Sequence, residues 1–258
     1  MGLKAYSGQG TIYMRPVTAA GVKTDDFRQV GTAYPLSLQV TNEQIKVFGR
    51  TVENANQVIA AKNRTTEIGG TLVLKEWNAA NLAWALSGGY ASQAAAGGSV
   101  SSGSPDVVTV PAPGEWAELT HRDVSDVVVK SPDNATTYVE GTAYTVDYKL
   151  GLINAVAGGA LAAGTVSCNI SYTYAAKTGY TVSIGSSSQI RVEILAHLYD
   201  EYSQEHWVLE LDSVVLGSNS EINFISEPES EGEDLSFVLT PETLSGQSSC
   251  GRVNGISL

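Results

Sequence analysis

The sequence predicts a mainly β protein: a β-sandwich or barrel core with one short α-helix at about residues 78–88, plus an inserted β-module. Three observations carry that prediction. Charged residues make up only 16% of the 258 residues, against roughly 25% in an average globular domain, so Lys- and Glu-rich helical faces are scarce. Gly, Ala, Ser, Thr and Val dominate instead, which suits strands joined by many turns. Apolar and polar residues also alternate along one segment after another, the period of a half-buried strand. A hydrophobic content of 43% over this length fills one sizeable core or two smaller ones.

Residues 1–34 are polar and Gly-containing, with a weak strand at Thr11–Met14 and a turn around Ala20–Thr24. Such an opening is a frayed terminus or an arm that docks elsewhere. Leu36, Leu38 and Val40, then Ile45 and Val47, alternate on either side of Thr41-Asn42-Glu43-Gln44, which predicts strand, turn and strand. Arg50–Arg64 is polar around one apolar island, Val58–Ala61, and reads as a long loop of the functional or mobile kind. In the strand Thr65–Trp77, Leu72, Leu74 and Glu76 alternate with Val73, Lys75 and Trp77.

The helix follows. Asn78 is a good N-cap, the segment Asn81-Leu82-Ala83-Trp84-Ala85-Leu86 favours helix, and Gly88-Gly89 stops it. Leu82, Ala85 and Leu86 share a face at the i, i+3, i+4 spacing. Ala91–Pro113 is rich in Ala, Gly, Ser and Pro and reads as a surface linker around a strand-like Val107–Val110.

From about Glu115 the pattern changes to short strands: Val124–Lys130, Thr142–Tyr148, Gly151–Ala155 and Thr165–Tyr174. That run reads as a small Ig-like sandwich over 115–178, inserted in a discontinuous core of residues 1–114 and 179–258. Longer strands return at Ile190–Tyr199 and His206–Val215, paired across the polar turn Asp200–Glu205, and at Leu235–Leu239. The terminal Gly246–Leu258 is Ser- and Gly-rich and extended.

Composition excludes some functions. With 27 acidic residues against 15 basic, the net charge of −12 leaves no clustered Lys and Arg to neutralise phosphates, so nucleic acid is not held by charge. Cys168 and Cys250 stand far apart without metal-ligand spacing and read as reduced thiols. The opening MGLKAYSGQG lacks an apolar core, so no signal peptide is expected. No apolar run reaches the roughly 18 residues of a membrane span. A soluble protein made in a reducing cytosol is expected, and the Asn-x-Ser/Thr matches at Asn63, Asn134 and Asn169 carry little weight.

No catalytic constellation is expected either. There is no H-E-x-x-H, G-x-S-x-G or Walker loop, and the glycine pairs at 69–70, 97–98 and 158–159 read as turns. His197 and His206 flank a predicted hairpin and, with Asp200 or Glu205, are the candidates for a metal site; strand-end polarity explains them more simply. The acidic run Glu227, Glu229, Glu231, Glu233 and Asp234 lacks the calcium-loop order, and reads as a solvated loop or one facing a channel or ring interface. No metal and no cofactor are expected.

The segment PLSLQVTNEQIKVFGRTVENANQVIAAKNRTTEIGGTLVLKEWNAANLAWALSGG resembles the core of phage tail tube proteins: a strand pair, a long connecting loop, and a strand leading into a short Asn-Leu-Ala helix that ends in Gly. The segments IRVEILAHLYDEYSQEHWVLELDSVV and SEGEDLSFVLTPE are similar to that family's closing strands. The resemblance implies a structural, non-enzymatic virion protein of a long-tailed phage, assembled in the host cytoplasm. It implies homo-hexameric rings stacked as a tube, with DNA passing through the lumen unbound. Tape measure, terminator and distal tail proteins are the further partners it implies. Arg50, Glu53, Asn56, Gln57, Val58, Ile59, Lys62 and Arg64 would form the inter-ring stacking loop, with the N-terminal arm and C-terminal segment as further contacts. The alternative is a carbohydrate- or surface-binding module, for which Tyr138, Tyr144, Tyr148, Tyr172 and Tyr174 are the expected exposed aromatics.

Overall fold

In the computed structural model of the chain, the residues described are 8–50, 53, 56–164, 166–219, 221–225 and 234–256. The opening strands are β1 (Gly8–Pro16), β2 (Arg28–Gln29), β3 (Ala33–Phe48) and β4 (Val58–Leu74), followed by the helix α1 (Ala79–Ala85). Short strands come next: β5 (Tyr90–Ala95), β6 (Gly98–Val100), β7 (Asp106–Val110), β8 (Ala117–Glu118), β9 (Val124–Lys130), β10 (Tyr144–Asp147), β11 (Leu152–Ala155), β12 (Val166–Tyr174) and β13 (Lys177–Val182). The chain closes with β14 (Ile190–Asp200), β15 (His206–Ser218), β16 (Leu235–Pro241) and β17 (Gly251–Ile256). The protein is mainly β, as the alternation predicts.

Two compact units result, one of described residues up to Ala91 and from Thr181 onward, the other Ser92–Tyr180. The first is built on an eight-stranded antiparallel sheet in the order β2-β1-β14-β15-β16-β4-β3, with β17 also paired to β15. One face of that sheet is apolar. Ile12, Met14, Val192, Ile194, Ala196, Leu209, Leu211, Leu72, Leu74, Leu235, Phe237 and Leu239 bury there with Trp84 and Ala85 of α1.

Strand β15 gains a bulge between the pairs Val192–Val214 and Ile194–Leu211, which lets both Leu211 and Val214 face the core. Asn78 caps α1, its Oδ1 accepting from the Asn81 backbone N–H at 2.8 Å. The Arg28 guanidinium lies 3.9 Å over the Trp84 ring.

The second unit is a small antiparallel sandwich. In one sheet β12 is flanked by β9 on one edge and by β6 and β7 on the other; the second sheet runs β10-β11-β8. Val110, Leu119, Val129, Ile153, Leu161, Cys168, Ile170 and Tyr172 fill the space between them.

Four expectations change. The Thr41–Gln44 turn is absent: β3 runs straight through it, with the irregularity confined to a bulge at Thr41/Asn42. These residues include neither Gly nor Pro, and the ladder to β4 holds them extended. The expected loop 50–64 is strand from Val58 onward, for the same reason. Gly69 and Gly70 lie inside β4 and not in a turn; a Cβ on Gly70 would meet the Ser37 carbonyl oxygen at 2.2 Å, so this close approach requires glycine. The stretch 91–113 carries β5, β6 and β7 where a linker was expected, because β12 offers β6 and β7 an edge to pair with and β13 pairs with β5.

Candidate assembly surface

The first unit's most unusual feature is a two-stranded ribbon. Strands β3 and β4 pair from Ala33–Leu74 out to Phe48–Val58. Every residue of 37–48 and 58–67 is exposed on both faces of the pair. From Gln39 to Phe48, at about 3.4 Å per residue, the ribbon reaches roughly 30 Å. Its tip is closed by Gly49 N–H donating to the Gln57 carbonyl at 2.8 Å and Asn56 N–H to the Gly49 carbonyl at 3.1 Å. Asn56 takes a positive φ of 63°, which Asn tolerates better than most residues.

Among the described residues from Gln39 onward, six large apolar side chains stand exposed on the ribbon: Val40, Ile45, Val47, Phe48, Val58 and Ile59. Phe48 is 51% and Ile59 58% accessible. Ile45 and Val47 share a face, two residues apart, opposite Lys62 and Ala60. The other face is polar, with Asn42 opposite Thr65 and joined to it by a 2.9 Å hydrogen bond, and Gln44 opposite Asn63. An isolated hairpin is marginal in water, and exposed apolar clusters of this kind are uncommon on monomeric proteins.

The residues expected to stack rings fall on this ribbon. Arg50, Glu53, Asn56 and Gln57 sit at the tip; Val58, Ile59, Lys62 and Arg64 lie along β4. The helix residues Asn81 and Trp84 are buried in the core, with Leu82 and Leu86 partly so. Glu227, Glu229, Glu231 and Glu233 lie outside the described residues. Asp234 forms an ion pair with Lys75.

The sheet's second face is half-exposed and polar. Arg191, Glu193, Leu195, His197 and Tyr199 of β14 project from it, alternating with the core residues. The charges there neutralise one another. Arg15 donates to Glu193 at 2.7 Å, Arg191 to Glu242 at 3.0 Å, and Arg252 pairs with Glu210. The hydrogen bond to Glu193 raises the Arg15 pKa further. Sheet edges are open as well: β3 ends the sheet along its whole length, and β2 covers only Tyr13 and Met14 of β1. A cleft of about 330 Å³ opens among Ile12, Leu36, Leu38, Leu198, Leu209 and Val253.

The second unit has its own cleft, of about 290 Å³, lined by Glu118, Thr120, His121, Arg122, Tyr174 and Lys177 among others. The His121 ring stacks on Tyr174 at 3.8 Å. Its Nδ1 lies 3.1 Å from the Tyr172 hydroxyl, which donates to Asp106 at 2.9 Å. Burial, then the bond to Asp106, pushes the Tyr172 phenol up to about 12. The expectation of exposed aromatics here is corrected for two residues: Tyr144 and Tyr172 are buried, since both point into the sandwich. Composition held no signal for this cleft, because its residues come from separate strands.

Among the described residues, no group of three or more His, Cys, Asp and Glu side chains is placed to hold a metal ion, and no helix is long and apolar enough to cross a membrane. Cys168 and Cys250 are both free thiols.

The first unit is thus a β-sheet with an exposed ribbon, open edges and a charge-balanced second face. Residues 5–236 match the family model described as "Protein of unknown function UCP028589", and the chain belongs to that family. A stretch of 83 residues is 32% identical to the tail sheath protein of Burkholderia phage BcepMu, covering 32% of this chain and 17% of that protein's length. Part of the chain is therefore similar to a phage tail structural protein.

Proposed function

We propose that this chain is a tail tube subunit, closing into homo-hexameric rings that stack into a tube conducting phage DNA. The observation that carries the reading is the exposed ribbon with its apolar tip, which the other described residues leave uncovered. A neighbouring ring would cover it, with Arg50–Arg64 at the contact, while the open β1 and β3 edges pair with flanking subunits. The ion-paired second face supports a bore that does not grip phosphates, since its three arginines each already meet a carboxylate. The partial likeness to a tail sheath protein supports a place in the virion tail, assembled in the host cytoplasm beside tape measure, terminator and distal tail proteins. The chain acts by assembly and not by catalysis.

The test replaces Glu43–Arg64 with Asn-Gly, joining Asn42 to Thr65 by a two-residue hairpin turn. None of the described residues in the removed segment contributes a core side chain. Negative-stain microscopy of the wild-type chain is expected to show stacked rings with a central hole, and the shortened chain a folded subunit that does not stack. Wild-type protein that stays monomeric at every concentration, or a shortened chain that still forms tubes, overturns the reading. The His121 cleft favours a second reading, a carbohydrate- or surface-binding module; saturable glycan binding lost in His121→Ala would support it.

A further inference from the structure

The strand pair β14–β15 brings two of the chain's three histidines together on the half-exposed face of the large sheet. Tyr199 lies opposite His206 and His197 opposite Val208, so the two imidazoles meet on the diagonal of the ladder. His197 Nε2 is 2.9 Å from His206 Nδ1, the rings are parallel within 4°, and their centroids are 5.0 Å apart. Tyr199 packs on the outer side of His206, also at 5.0 Å. Neither imidazole has another hydrogen-bond partner among the described residues.

We infer that His197 and His206 form a two-nitrogen binding site for a divalent transition ion that prefers right-angled coordination, Cu²⁺ or Ni²⁺. Geometry carries the assignment. Imidazole–metal bonds of about 2.0–2.1 Å at a right angle place the two nitrogens about 2.9 Å apart. The two nitrogens of the hydrogen-bonded pair already stand at that separation. A tetrahedral ion would need the nitrogens to spread to roughly 3.4 Å, so tetragonal N,O ions are favoured over Zn²⁺.

The proton balance is simple. In the neutral pair one nitrogen of the contact carries hydrogen and the other accepts. Metal binding moves that hydrogen to the outer nitrogen of the same ring, so neutral imidazoles release no proton and only acid competes with the metal. Two ligands leave the remaining coordination positions to water. The neighbours across the ladder on β1, Thr11 opposite His197 and Gln9 opposite Tyr199, are neutral and do not repel a cation. The site is independent of the assembly reading, since one chain supplies both ligands.

Calorimetric titration of the untagged full chain with CuCl₂ near neutral pH tests it, with electron paramagnetic resonance on the bound ion. The expected result is one Cu²⁺ per chain with hyperfine structure from two imidazole nitrogens. His197→Ala and His206→Ala are each expected to weaken binding at least tenfold. His121→Ala, which removes the third histidine in the other unit, is expected to bind as the wild type does. Circular dichroism checks that the variants keep the fold, and His197→Gln serves as a second, more conservative probe. Equal affinity in wild type and either alanine variant, or a signal from a single nitrogen in the wild type, overturns the inference.

Discussion

Asn81 is the polar residue on which the first unit's corner turns, and its replacement gives a sharp test of the core. It is wholly inaccessible, at 0% exposure, on the first turn of α1. Its Nδ2 donates to the Val30 carbonyl at 2.9 Å and to the Glu76 carbonyl at 3.0 Å, tying the segment just after β2 to the chain leaving β4. Asn81→Ala leaves both oxygens without this donor. A stranded buried acceptor costs about 1–3 kcal/mol, and the Val30 carbonyl, fully enclosed, falls toward the upper end. The Glu76 carbonyl is only partly buried, so water recovers much of its share.

Against this, the side-chain Oδ1 of Asn81 is itself buried without a partner, and alanine relieves that penalty. The net loss is about 1–2 kcal/mol. Urea denaturation followed by tryptophan fluorescence reads it as a lower midpoint at unchanged slope. Asn81→Asp, which keeps the shape but cannot donate when ionised, is expected to lose at least as much. A loss below about 1 kcal/mol for the alanine variant, or an aspartate variant more stable than it, would refute the assignment of Asn81 as the tie.

Two further outcomes follow from the two cores. Phe237→Ala empties the centre of the large sheet's buried face and is expected to cost about 3–5 kcal/mol in the same denaturation assay. Tyr172, held at about 12 by burial and Asp106, ionises later in the folded protein than in the unfolded chain at about 10. Its contribution is therefore complete below about pH 10 and is lost as pH climbs toward about 12; Tyr172→Phe is expected to flatten that loss and remove one late phenol from an ultraviolet pH titration.

How much of this was legible beforehand depends on what each residue's environment adds to its type. Strands β9, β11, β12, β14, β15 and β16 match their predicted positions within a few residues, because each alternates between core and solvent and writes its period into the side chains. The helix was legible from its cap, Asn78, but it stops at Ala85, and the positive φ of 50° that follows it falls on Ser87 and not on the two glycines. The ribbon was legible only in part. The alternation at Ile45 and Val47 and the strand from Thr65 were marked, but Thr41–Gln44 and 58–64 face solvent on both sides within one subunit, so no inward–outward contrast marks them as strand, and their polar residues look like turn and loop. What makes them extended is the ladder itself, a property of pairing between positions such as Ile45 and Lys62.

The same cause hid the composite sites. His197 and His206 are nine residues apart in sequence, and the predicted hairpin suggested their meeting without fixing the 2.9 Å contact. His121, Tyr172 and Asp106 come from three segments with no local signature, joined only once β7 and β12 pair. The ribbon's sequence also carries information that a lone subunit does not explain. Val47, Phe48, Val58 and Ile59 would be poor choices for a permanently solvated tip, and an apolar cluster is stable there only when another surface covers it. Exposed apolar residues on a strand pair that no core requires are therefore the feature on which the proposed association rests, and the ribbon-shortened protein separates that proposal from the fold, because the proposal alone depends on them.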